Sequence, residues 1–97
     1  MRKGNVAEDG WQGFIKLCVE TKNPKDLQEL FDLFFTLEEK EALGLRMQLI
    51  RALLEHKRTQ REISEDLNIS ISKITRGSNA LKIINDRLKE YLKASLL

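Results

Sequence analysis

Between Thr59 and Asn79 the chain reads T-Q-R-E-I-S-E-D-L-N-I-S-I-S-K-I-T-R-G-S-N, two short amphipathic helical patterns separated by a tight turn around Asn68. No other stretch restricts the fold as much. Two short helices held at a steep angle need apolar residues at set places inside both, and a sharp turn between them. Ile63 and Leu67 face inward from the first helix, Ile69 fills the turn, and Ile74 faces inward from the second. Ser64 is small where the helices cross. Asn68 falls where the chain turns left-handed, a conformation Asn tolerates better than most residues other than Gly. The first helix opens on a capping box, Thr59-Gln60-Arg61-Glu62, and Ser70 caps the second. The whole has the layout of a helix-turn-helix, a unit that reads DNA with its second helix in the major groove.

The exposed set is then Gln60, Arg61, Ile71, Ser72, Lys73 and Thr75. Gln60 and Arg61 stand at a helix N-terminus, where backbone N–H groups also accept phosphate. Ile71, Ser72, Lys73 and Thr75 belong to the start of the reading helix. An exposed Ile can touch a thymine methyl, and Thr or Lys can bond base edges or phosphates. The same spacing also describes a plain helical hairpin in a small bundle. Ile71 beside Ser72 and Lys73 argues for a contacting surface, because a solvent face would sooner carry Glu or Lys.

The rest of the chain is helical in pattern, with no strand alternation, repeat or low-complexity segment. Residues 1–9 are polar and read as a flexible tail. Trp11, Phe14, Ile15, Cys18 and Val19 recur at helical spacing. Pro24, with Asn23 as cap, opens a second helix in which Leu27, Leu30, Phe31 and Phe34 form a stripe, while Leu33 and Phe35 lie off it and need a second partner. Thr36-Leu37-Glu38-Glu39 reads as another capping box, opening a long helix to about Leu54. That helix is apolar on two sides: Leu43, Met47, Ile50 and Leu54 on one, Leu45, Leu49 and Leu53 on the other. Asn85 caps a last helix with Leu88, Tyr91, Leu92 and Leu96 facing inward. The predicted architecture is all-α, about six helices in a single domain over 1–97, with the helix-turn-helix at about 59–79.

Ninety-seven residues enclose little interior. Yet the chain is 41% hydrophobic and 33% charged, an ordinary globular mixture. A long helix apolar on two sides in so short a chain calls for a dimer partner. Residues 1–44 hold 6 Lys/Arg against 9 Asp/Glu, and residues 45–97 hold 11 against 6, so the basic half is the one with the helix-turn-helix. The lone Cys18 allows no internal disulfide, and no Cys/His cluster suggests zinc. Trp11, Phe14 and Cys18 read as core or dimer contacts. His56, Lys57 and Arg58 read as solvated charges at a helix end, and Glu38, Glu39 and Glu41 as favourable charges at a helix start. No nucleophile–base pairing points to an enzyme. No signal peptide or bilayer-spanning run is visible, so a soluble cytoplasmic protein with no membrane partner is expected.

Thr75-Arg76-Gly77-Ser78-Asn79 with Leu81-Lys82, Glu41-Ala42-Leu43-Gly44 with Arg46, and Gln60-Arg61-Glu62 closely resemble the Trp repressor family, from about Leu30 to the C-terminus. The most specific piece is Ile74 to Asn79. This resemblance implies an intertwined all-helical homodimer that binds L-tryptophan as corepressor and then a palindromic double-stranded operator; the Trp repressor is itself a standard case of helix-turn-helix docking. By position, the resemblance implies that Arg46 and Arg76 sandwich the indole ring and that Arg76 also faces the ligand carboxylate. Gly77 leaves room for the ring, Ile50 lines the floor, Ala80 stands near the amine, and Thr36 closes the pocket with Leu33 and Phe35 of the other subunit. By the same resemblance, Asn79 and Lys82 join the exposed set as DNA contacts. The chemistry suits such a ligand, since Arg stacks on aromatic faces and pairs with carboxylates. Gly77 inside a reading helix costs about 1 kcal/mol of helix propensity, which a close approach by ligand justifies.

Local reasoning alone allows other readings: Gly77 as a helix C-cap with Ser78 and Asn79 starting a loop, Arg46 as a solvated charge, a ligand-independent helix-turn-helix protein, or a helical dimer serving only protein–protein contact. Departures from the family pattern also stand out. Ala80 replaces the usual Ser, the loss of a hydrogen bond typically worth about 0.5–1.5 kcal/mol. Lys73 stands for the common Thr and Ser64 for Lys, which relocates a positive charge on the DNA face.

Overall fold

The computed structural model describes residues 5–97, and among them there are six helices and no strand. They are α1 (Val6–Glu20), α2 (Pro24–Phe34), α3 (Leu37–Glu55), α4 (Gln60–Leu67), α5 (Ile71–Ile83) and α6 (Asp86–Leu96). No helix among the described residues is long and apolar enough to cross a membrane. The chain forms two compact units, one ending at Leu37 and one from Glu38 to Leu97.

In the first unit, α1 starts at Val6, so residues 6–9, expected in a polar tail, are helical; Glu8 and Asp9 there complement the helix dipole. The first four residues of that expected tail lie outside the described residues. Pro24 opens α2, and the Asn23 side chain accepts from the Lys25 N–H at 2.8 Å. Phe14 sits among the rings of Phe31, Phe34 and Phe35, at centroid distances of 6.0, 5.1 and 5.7 Å. Phe35 thus finds partners in its own unit, whereas Leu33 stays 78% exposed. No side chain of α1 or α2 is fully buried.

The second unit has a small dry core. Leu49 and Ala52 of α3 meet Ile63 of α4, Ile69 of the turn and Ile74 of α5, with Leu53 and Leu67 packed around them. Ile63 and Ile74 are fully buried, each contributing about 1.5–3 kcal/mol by removal from water. On α3, Leu49 of one apolar side and Leu54 of the other are buried, while Leu43 and Met47, on the side of Leu54, are exposed; that side is covered towards its C-terminal end and open towards its start. The inward stripe predicted for α6 is only partly realised. Leu92 and Leu96 are half-buried, but Leu88 and Tyr91 point to solvent. Periodicity identifies an apolar stripe, but it does not say whether the same chain supplies the surface that covers it.

A candidate nucleic-acid interface above a cationic hollow

The helix-turn-helix is built by its caps. Thr59 accepts from the Glu62 N–H at 3.1 Å and Glu62 accepts from the Thr59 N–H at 3.0 Å, a reciprocal box that satisfies two otherwise unpaired donors. These bonds hold the Glu62 carboxyl below its usual range, the Thr59 backbone N–H contributing most and its hydroxyl next. Asn68 ends α4 at φ 54, ψ 50, in the left-handed region. The Ser64 hydroxyl donates to the Ile69 carbonyl at 2.6 Å, while the Ser64 carbonyl accepts from the Ile69 N–H. Ser64 is therefore half-buried and tied into the turn. Its hydroxyl thus has a role inside the turn besides carrying no charge there. Ser70 then caps α5, accepting from the Lys73 N–H, and Arg58 straps the start of the unit to Asp66 at 2.8 Å.

This frame leaves Gln60, Arg61, Ile71, Ser72, Lys73, Thr75, Asn79 and Lys82 all exposed. Ile71, at the first position of α5, is an apolar side chain left 49% exposed. The Thr75 hydroxyl donates to the Ile71 carbonyl at 3.0 Å, so outward it offers a methyl group and an acceptor. Gln60 and Lys82 also border a hollow of about 310 Å³ together with His56, Arg58, Ser78, Lys89 and Lys93. Lysines of α6 thereby join the basic surface, which sequence spacing did not reveal because they lie on a different helix from the recognition element.

Behind the reading helix is a second hollow, of about 380 Å³, between α3 and α5. Ala42, Leu45, Arg46, Leu49 and Ile50 line it from α3; Lys73, Arg76, Gly77 and Ala80 line it from α5; Ile69 closes the turn side. Arg46, Ile50, Arg76, Gly77 and Ala80 are thus brought together as the sequence suggested. Thr36, Leu33 and Phe35 belong to the first unit. Ala42, Leu45, Leu49, Ile69 and Lys73 were not foreseen as lining. A signal existed: counting i, i+3, i+4, i+7 from Lys73 gives Arg76, Gly77 and Ala80, and the same count from Ala42 gives Leu45, Arg46 and Leu49.

Gly77 is not a C-cap. The helix runs through it to Ile83. Its missing Cβ accommodates α3, since a methyl there would press on the Leu49 and Leu53 side chains. The close approach that the glycine permits is therefore first of all helix against helix, with the hollow beside it.

A helix-turn-helix whose second helix forms one wall of an apolar, cationic hollow defines a class: an all-α protein with a DNA-reading element. Comparison with known proteins agrees. The family model described as Trp repressor protein matches residues 9–96. A Trp operon repressor homolog of Chlamydia trachomatis serovar D is 47% identical over 92 residues, covering 95% of this chain and 98% of the relative. Homologs bearing the same name from Chlamydia caviae (45% over 86 residues, 89% and 85% covered) and Mannheimia succiniciproducens (41% over 83 residues, 86% and 82% covered) are also similar. The chain belongs to the Trp repressor family, whose members are regulators of transcription and not enzymes.

Proposed function

We propose that this chain is a transcription repressor that binds a palindromic operator as a homodimer, with L-tryptophan as corepressor. The observation that carries the reading is the hollow lined by Arg46 of α3 and by Lys73, Arg76 and Gly77 of α5, the helix that also carries the exposed Ile71, Ser72 and Thr75. A planar aromatic amino acid suits it. The two guanidinium groups take the ring faces, and Arg76 also reaches the carboxylate. Ile50 forms the floor and Ala80 stands at the amine end. Thr36, with Leu33 and Phe35 of the second subunit, completes the enclosure. The ligand wedges α5 away from α3 and holds the reading helix at the angle that matches the groove, a population shift driven by its greater affinity for that arrangement.

Homodimerisation is favoured by the uncovered apolar side chains: Leu33, Leu43, Met47, Leu88 and Tyr91 are all exposed in the single chain. Gln60, Arg61, Asn79 and Lys82 take phosphates, and the first turn of α5 takes base edges. Selection of duplex DNA from random sequence, with and without L-tryptophan, tests the proposal. Enrichment of palindromes only in the presence of the amino acid is expected. Enrichment of the same sequences to the same extent in both arms would overturn the corepressor role, and no enrichment in either would overturn DNA reading.

A further inference from the structure

Three cations border the hollow between α3 and α5, namely Arg46, Lys73 and Arg76, and no carboxylate does. None of the three has an ion-pair partner among the described residues, although Arg51 pairs with Glu55 and Arg58 with Asp66 in the same unit. Lys73 is also out of keeping with its position. Each of the other five helices carries an Asp or Glu in its first turn, where the free backbone N–H groups favour negative charge; α5 carries none and places Lys73 there instead. A cation set against a helix dipole beside an acid-free hollow is stabilised when an anion joins it.

We propose that Lys73 binds the carboxylate of the hollow's ligand, as a third cation beside the two arginines; this rests on the corepressor reading above. Lys73, Arg76, Gly77 and Ala80 share one strip of α5, and Lys73 stands about 4.5 Å nearer the helix N-terminus than Arg76, given the helical rise per residue. An Arg76 guanidinium lying flat on an aromatic ring has its face engaged, so a separate ammonium one turn away supplies a free point charge with three donors. The ammonium–carboxylate bond is stronger than a neutral one, so Lys73 offsets the hydroxyl that Ala80 lacks. The site thereby selects aromatic carboxylates over aromatic amines.

Calorimetric titration in the absence of DNA tests this, since Trp11 emission obscures fluorescence. The ligands are L-tryptophan and tryptamine, which keeps the ring and amine without the carboxylate. The proteins are wild type, Lys73→Met and Lys73→Arg, with thermal melts to confirm folding. The charged contact predicts that Lys73→Met weakens L-tryptophan about tenfold, that Lys73→Arg stays close to wild type, and that tryptamine does not weaken in Lys73→Met. Unchanged L-tryptophan affinity in Lys73→Met overturns the proposal. Equal weakening of both ligands also overturns it, pointing to a packing role. Failure of the wild type to bind L-tryptophan at all removes the corepressor reading itself, and the role of Lys73 with it.

Discussion

Gly77 of α5 passes so close to α3 that a Cβ on it would stand 3.0 Å from Leu49 Cδ2 and 3.4 Å from Leu53 Cδ1. Leu49 is both a core residue and a wall of the cationic hollow. One contact therefore couples the packing of the reading helix to the shape of the ligand site.

Gly77→Ala follows from that contact. The methyl pushes Leu49 by a few tenths of an ångström, and the hollow is the open side into which it can move. The gain in helix propensity, about 1 kcal/mol, offsets the strain. Stability in urea melts is expected to stay within about 1 kcal/mol of wild type, while calorimetry shows L-tryptophan affinity clearly reduced. A variant that binds the amino acid as tightly as wild type contradicts the coupling.

The Thr59–Glu62 box sets a pH dependence. Its hydrogen bonds lower the Glu62 carboxyl below the ordinary value of 4.5, so its stabilising effect is complete above that value and is lost as pH falls through the lowered folded-state value. Wild type should exceed Glu62→Gln in stability at pH 6, and the difference should shrink as pH falls below 4.5. Thr59→Ala, which removes the cap oxygen, should cost about 1 kcal/mol at neutral pH.

Asn68 at φ 54 separates conformation from side-chain chemistry. Asn68→Gly should leave stability close to wild type, because Gly enters the left-handed region freely. Asn68→Ala keeps a Cβ in that region but loses the short polar side chain that lets Asn occupy it, and should cost up to about 1 kcal/mol. Equal melting temperatures for the two variants would show that the turn is not held in this geometry.

Ile71 and Ile74 lie three residues apart on α5 and should fail differently. Ile74 is fully buried, so Ile74→Ala should cost about 2–5 kcal/mol and abolish operator binding through loss of the fold. Ile71 is half exposed, so Ile71→Ala should change stability by less than about 0.5 kcal/mol while weakening operator binding in gel shift. If Ile71→Ala binds the selected operator as wild type does, the start of α5 does not face base pairs.

The helices were largely legible in the sequence because their boundaries are written in local chemistry. Asn23, Thr59, Ser70 and Asn85 each cap the helix that follows with a side-chain oxygen, and such bonds span only two or three residues. Asn68 was legible for the same reason. Part of the hollow was also legible: family resemblance pointed to Arg46, Ile50, Arg76, Gly77 and Ala80, while helical spacing groups the lining of each helix without saying that the two groups meet. Nothing local distinguishes Arg46 from any solvated arginine, and local reasoning alone would have ended α5 at Gly77.

The sequence by itself determined where the helices start and turn, which face of α4 and α5 is apolar, and that the reading helix carries Ile71, Ser72 and Lys73 outward, since all of these depend on residues a few positions apart. Only the tertiary structure decided that Lys73 borders the same hollow as Arg46, that Gly77 makes room for Leu49, and that Leu88 and Tyr91 remain uncovered. Those facts depend on where α3, α5 and α6 come to lie in space, and the docking of distant helices is set by the fit of whole side-chain surfaces, which no local spacing encodes.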